Sequence, residues 1–111
     1  MGLAKQIREK TVNEVRLVSV DYTDKLDAGK TLTAPTATVV GSTAITVSSV
    51  SVSTAELTID GVEVDAGKAV QYKVSAGGTA GSLVYVRVTV NDTSTPAQTF
   101  KDKFRLRIIA D

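Results

Sequence analysis

Cysteine, histidine and tryptophan are absent from this chain of 111 residues, and its aromatics are limited to Tyr22, Tyr72, Tyr85, Phe100 and Phe104. Each absence excludes a chemistry. Without cysteine there is no disulfide framework and no thiol nucleophile. Without histidine the usual general base and the Ser–His pair are gone. With both missing, structural zinc loses its ordinary ligands. Charge of one sign is lacking too, because Lys and Arg total 13 against 12 Asp and Glu, for a net +1. That balance argues against a chain whose main task is neutralising a phosphate backbone. No run approaches the ~20 apolar residues that span a bilayer. The opening MGLAKQIREK carries basic residues without an apolar stretch, so no secretory signal is expected in it.

What the chain has is valine and threonine, 17 and 15 of them, against seven leucines and five isoleucines. β-Branched side chains are stiff at χ1 and fit a pleated, half-buried surface. The length suits one domain, and few aromatics imply a thin core of small aliphatics. An all-β fold is therefore expected.

Residues 1–11 stand apart, with Leu3 and Ile7 four apart among Lys5, Arg8 and Lys10. They read as an N-terminal arm that is frayed, with one or two turns of helix, that orders against a neighbouring subunit, or that contacts nucleic acid. Leu3, Ile7 and Arg8 are its candidate contacts. From Val12 the period becomes two. Val15 and Leu17 alternate, and then Val18, Val20 and Tyr22 continue on the opposite phase. That slip predicts a bulge or a crossing between sheets near Leu17–Val18. DKLDAG, with Gly29, reads as a turn. Thr31 to Val40 reads as a strand in which Pro35 marks an edge or bend. Ile45 to Val52 forms a third strand, with a second slip at Ser48-Ser49. Leu57 and Ile59 meet Val62 and Val64 across Asp60-Gly61, a strong hairpin signal. Val70, Tyr72 and Val74 alternate, as do Val84, Val86, Val88 and Val90. The polar loop NDTSTPA separates these from Phe104, Leu106 and Ile108. Seven to eight short strands with turns every 8–12 residues give an Ig-like antiparallel β-sandwich over 12–111.

Gly77, Gly78 and Gly81 crowd the stretch SAGGTAG. A phosphate-cradling loop comes after a strand, opens a helix and in its P-loop form carries Gly-Lys. Here SLVYVRV comes next, which is strand, and no lysine occurs until Lys101. The glycines therefore serve a turn between two antiparallel strands, as Gly29 and Gly61 serve theirs.

SAGGTAGSLVYVRVTVNDTSTPAQTFKDKFRLRI resembles the C-terminal half of a family of small virion proteins of tailed bacteriophages. In those proteins a strand runs into Gly-Gly-x-x-Gly, then a Tyr- or Val-rich strand, a Thr-rich turn and a basic-apolar final strand. VDYTDKLDAGKTL is similar to an upstream segment of the same family, with Tyr22, Leu26, Gly29 and Leu32 at its aromatic, leucine, glycine and isoleucine positions. Lys30 stands where the family usually has Asp. The resemblance implies an Ig-like fold and a structural, non-enzymatic role as an adaptor linking portal or tail components to fibres. It implies contacts with portal, adaptor, tail or fibre proteins, with copies of itself, and in one variant with the major capsid protein. The implied location is the virion, after synthesis in the bacterial cytoplasm. A capsid decoration protein on the head surface is the alternative within the class. A carbohydrate- or ligand-binding Ig-like module is the alternative outside it, and it calls for aromatics clustered at one loop end.

Carboxylates are the remaining reactive groups. Asp21, Asp24 and Asp27 share one turn region, and Asp60, Glu63 and Asp65 another. Both read as solvated turns. Calcium is the alternative, although neither matches an EF-hand spacing. No catalytic residue, cofactor or metal is expected. Lys101, Lys103, Arg105 and Arg107 share one face of the last strand. They form a solvated face that discourages edge pairing, or a docking strip for an acidic protein or nucleic acid. The run STAITVSSVSVSTAELT reads as a flat, neutral strand surface that a neighbour could cover.

Overall fold

The computed structural model describes residues 8–41 and 45–110. Among the described residues, nine strands run in the order β1 (Arg8–Thr11), β2 (Arg16–Asp21), β3 (Leu32–Val40), β4 (Val47–Val52), β5 (Leu57–Ile59), β6 (Val62–Val64), β7 (Ala69–Val74), β8 (Leu83–Asp92) and β9 (Thr99–Ile109). A 3-10 turn, Thr23–Lys25, lies between β2 and β3. One sheet has the order β1-β9-β8-β3, a second β2-β7-β4, and β5-β6 form a separate two-stranded ribbon. This is the immunoglobulin plan of two sheets, with the first strand parallel to the last and all other pairs antiparallel. The β5–β6 ribbon is inserted between β4 and β7.

The core arises from period-two alternation in strands of both sheets. Val18 and Val20 of β2 and Val70, Tyr72 and Val74 of β7 meet Val84, Val86, Val88 and Val90 of β8 and Phe104, Leu106 and Ile108 of β9. Valines supply most of the facing layer, and Tyr22, Tyr72, Phe104, Leu106 and Ile108 fill the wider parts of the inter-sheet space.

The two phase slips have different causes. Ser49 takes φ +54°, and the β4–β7 register shifts between Ser48 and Ser51, so the second slip is a bulge. The run 42–58 is thus bulged on an edge strand, not flat, within its described part. The first slip is a correction. β2 pairs with β7 without interruption from Arg16 to Asp21, so no bulge lies at Leu17–Val18. The chain changes sheets earlier, in the turn joining β1 to β2. Val15 and Leu17 stay outside, at 62% and 56% exposure. Pro35 sits where edge strand β3 is interrupted, with Ala34 at φ +54° and a register shift between Thr33 and Thr36. Arg8–Thr11, counted with the arm in the sequence, form strand β1 and not helix. Leu3 and Ile7 lie outside the described residues.

Asp60-Gly61 forms the expected tight turn, at φ +50° and +81°, as a type I′ hairpin requires. The glycine loop corrects a detail of the sequence reading. It joins β7 to β8, which belong to different sheets, so it is a crossover and not a paired hairpin. Gly77 donates its N–H to the Val12 carbonyl at 2.6 Å, which ties this loop to the β1–β2 turn. Lys10 completes the corner. It is 1% exposed, and its ammonium donates to the carbonyls of Thr11 (2.7 Å), Val12 (3.4 Å) and Gly77 (3.1 Å).

Asp92 closes the β8–β9 loop. Its Oδ1 accepts from the Ser94 and Gln98 N–H groups, and its Oδ2 from the Ser94 hydroxyl. Desolvation pushes this carboxyl up. The hydrogen bonds from Gln98 and Ser94, with the charge of Lys30, outweigh it and hold the group below the ordinary carboxylate range. A depressed folded-state value stabilises the fold above the unfolded-state value of about 4 and loses that contribution as pH falls through the lower, folded one. Asp92→Asn should therefore melt below the parent chain at pH 7, and the gap should close below about pH 4 in thermal melts. A gap that persists unchanged at low pH would show that charge plays no part.

Candidate functional site

Strand β9 places its two sets of side chains by simple alternation. Phe104, Leu106 and Ile108 turn inward, and Lys101, Lys103, Arg105 and Arg107 are exposed. Sheet pairing then adds what the last strand alone does not reveal. Leu83 lies opposite Arg107, Tyr85 opposite Arg105, Arg87 opposite Lys103 and Thr89 opposite Lys101. The outer face of β8–β9 thus carries Arg87 together with all four cations of the strip. Thr38 and Val40 of β3 continue it beside Arg87 and Tyr85.

Carboxylates are few around this patch. Asp102 turns away from it, and its Oδ1 accepts from the Lys25 ammonium at 2.9 Å. Its Oδ2 and the buried Tyr22 hydroxyl each lack a hydrogen-bond partner. Burial, and then the Asp102 charge, push the Tyr22 hydroxyl well above its ordinary range. Glu9 of β1 pairs in register with Arg107.

Arg87 directly opposite Lys103 is a like-charge cross-strand pair, which costs tenths of a kcal/mol to about 1 kcal/mol. Lys103 gains a partial offset by lying 5.3 Å from the centre of the Tyr85 ring. Between these groups lies a shallow depression of about 410 Å³, lined by Arg87, Thr89, Lys101, Asp102 and Lys103. A second hollow, of about 200 Å³, lies between β2 and the β5–β6 ribbon, with Leu17 and Ile59 in its wall and Glu9, Arg16 and Asp60 at its rim.

The other candidates have local roles. Asp21 Oδ1 accepts from the Thr23 N–H, and Asp27 Oδ2 accepts from the Gln98 amide. Among the described residues, no group of three or more Asp or Glu is placed to hold a metal ion. Gly29, Gly61, Gly77, Gly78 and Gly81 all take positive φ. Asn91, in the sequon-like Asn91-Asp92-Thr93, accepts a 2.8 Å bond from the Thr99 hydroxyl across the ladder. The β backbone of Arg8 joins the basic sheet, while Leu3 and Ile7 are not placed. Arg87 and Tyr85 are site residues that the single-strand reading missed. Their alternation was visible, but only the β8–β9 register sets them beside the strip.

Among the described residues no helix is long and apolar enough to cross a membrane. Compared with protein-family models, curated proteins and solved structures, the chain matches none.

Proposed function

We propose that this Ig-like sandwich is a non-enzymatic assembly module of a tailed-phage virion, an adaptor that links portal or tail components to fibres. It docks through the basic outer face of β8–β9 onto an acidic protein surface. The supporting observation is the like-charge pairing of Arg87 with Lys103, flanked by Lys101, Arg105 and Arg107. A fold that keeps mutually repelling cations on neighbouring strands gives up stability at a functional surface. The exposed Leu83 and half-buried Tyr85 among them suit a contact with an apolar centre and a charged rim. The near-neutral chain as a whole favours a local protein contact over a nucleic-acid footprint. The similarity of SAGGTAGSLVYVRVTVNDTSTPAQTFKDKFRLRI to tailed-phage virion proteins supplies the setting.

Particles banded on a density gradient from the source host should contain the chain at fixed stoichiometry by mass spectrometry. Carrying Arg105→Glu with Arg107→Glu, the chain should fold and be lost from them. A chain absent from every banded particle would end this reading.

A further inference from the structure

We propose that the acidic partner of the basic face is the β5–β6 ribbon of a second copy of the same chain, so that copies associate head to tail. This rests on the assembly reading above and names its partner. The stretch ELTIDGVEVD, residues 56–65, holds four carboxylates and no cation. Glu56, Asp60, Glu63 and Asp65 are all exposed. The ribbon is a sheet of its own, and its neighbour in the body is β2. It therefore packs against the sheet that does not carry the basic strip, with Asp60 sharing a hollow with Glu9 at the β1 edge.

The two surfaces match in spacing as well as sign. Cations repeat at every second residue of β9, at 101, 103, 105 and 107. On one arm of the ribbon Glu63 and Asp65 are spaced by the same two residues. Every second residue of a strand is about 6.6 Å further along, so the two rows can lie in register. On the carboxylate side of the ribbon Thr58 lies opposite Glu63, and the basic face carries the exposed Leu83, at 42%. A contact between two different patches is heterologous. Repeated, it closes into a ring or continues as a filament. Because its charges are exposed, the contact is screened by salt.

Sedimentation equilibrium of the full chain tests this. The parent chain should self-associate at about 50 mM salt, with its dissociation constant rising about tenfold or more at about 500 mM. A face variant, Arg105→Glu with Arg107→Glu, and a ribbon variant, Glu63→Lys with Asp65→Lys, should each sediment as monomers. An equimolar mixture should associate again, because the acidic face of the first now receives the basic ribbon of the second. Neutral Glu63→Gln with Asp65→Asn keeps the side-chain shapes and should also weaken association about tenfold. A parent chain that stays monomeric at low salt up to about 0.5 mM would overturn the inference. So would ribbon variants that associate like the parent, or a mixture that does not recover. If the ribbon variants associate normally while the face variant is still lost from particles, the face docks elsewhere and the assembly reading survives. If the mixture recovers but the chain is missing from particles, the head-to-tail contact stands and the virion reading fails.

Discussion

Lys10→Ala should unfold about 2–4 kcal/mol more easily than the parent chain, a drop of roughly 10–20 °C in Tm. A lysine at 1% exposure survives in a core only if its ammonium is fully engaged. Here it bridges the β1–β2 turn and the glycine loop through the carbonyls of Thr11, Val12 and Gly77. The Thr11 and Val12 carbonyls keep a second partner, accepting from the Glu14 and Gly77 N–H groups. The loss therefore falls on Gly77, on the bridge itself and on the space left by the buried stem. Lys10→Met refills that space and should recover about half the stability in denaturant titrations. A Lys10→Ala chain within about 0.5 kcal/mol of the parent would show that the corner does not depend on this side chain.

Gly78→Val should cost about 3 kcal/mol or more. Gly78 sits at φ +93°, and a Cβ there would meet Ile45 Cδ1 at 3.0 Å and Ile108 Cγ1 at 3.3 Å. A β-branched residue adds backbone strain to this crowding. Gly81, at φ +87° in the same loop, has open space around its missing Cβ. Gly81→Ala should therefore cost less than Gly78→Ala, since strain alone remains. Equal losses in thermal melts would mean that packing against Ile45 and Ile108 contributes nothing.

The glycine-rich loop shows which parts of the fold were legible in sequence. The alternating residues after SAGGTAG read as strand, which was enough to exclude a phosphate cradle. That the loop crosses between sheets depends on pairing, which alternation does not encode. Asp60-Gly61 was legible because a type I′ turn demands φ > 0 at both positions, and the pair meets that demand locally. The slip at Ser48-Ser49 was legible as an inversion of phase, which the one extra residue of a bulge produces. The slip at Leu17–Val18 looked identical and was not a bulge, since exposed Val15 and Leu17 mimic a buried stripe. β1 and the burial of Lys10 gave no signal, because lysine is almost never fully buried and REKT has no apolar alternation.

The candidate site was half legible. Lys101, Lys103, Arg105 and Arg107 show their common face in sequence. Arg87 joins them only through the register that puts it opposite Lys103. The structure also moves attention from edges to this face. β3 and β4 end their sheets on one side, and both carry bulges, at Ala34-Pro35 and Ser49. Bulged edges resist strand addition, whereas the outer face of β8–β9 concentrates charge on a regular ladder.

Because the chain has no cysteine, a disulfide can be placed across the proposed contact alone. Arg105→Cys and Glu63→Cys chains, mixed in equal amounts and oxidised gently at low salt, provide the test, read by non-reducing electrophoresis and mass spectrometry. The account predicts mixed dimers, Arg105→Cys joined to Glu63→Cys, well above the statistical half, and their loss at high salt. A statistical distribution of the three dimers at both salt concentrations would contradict it.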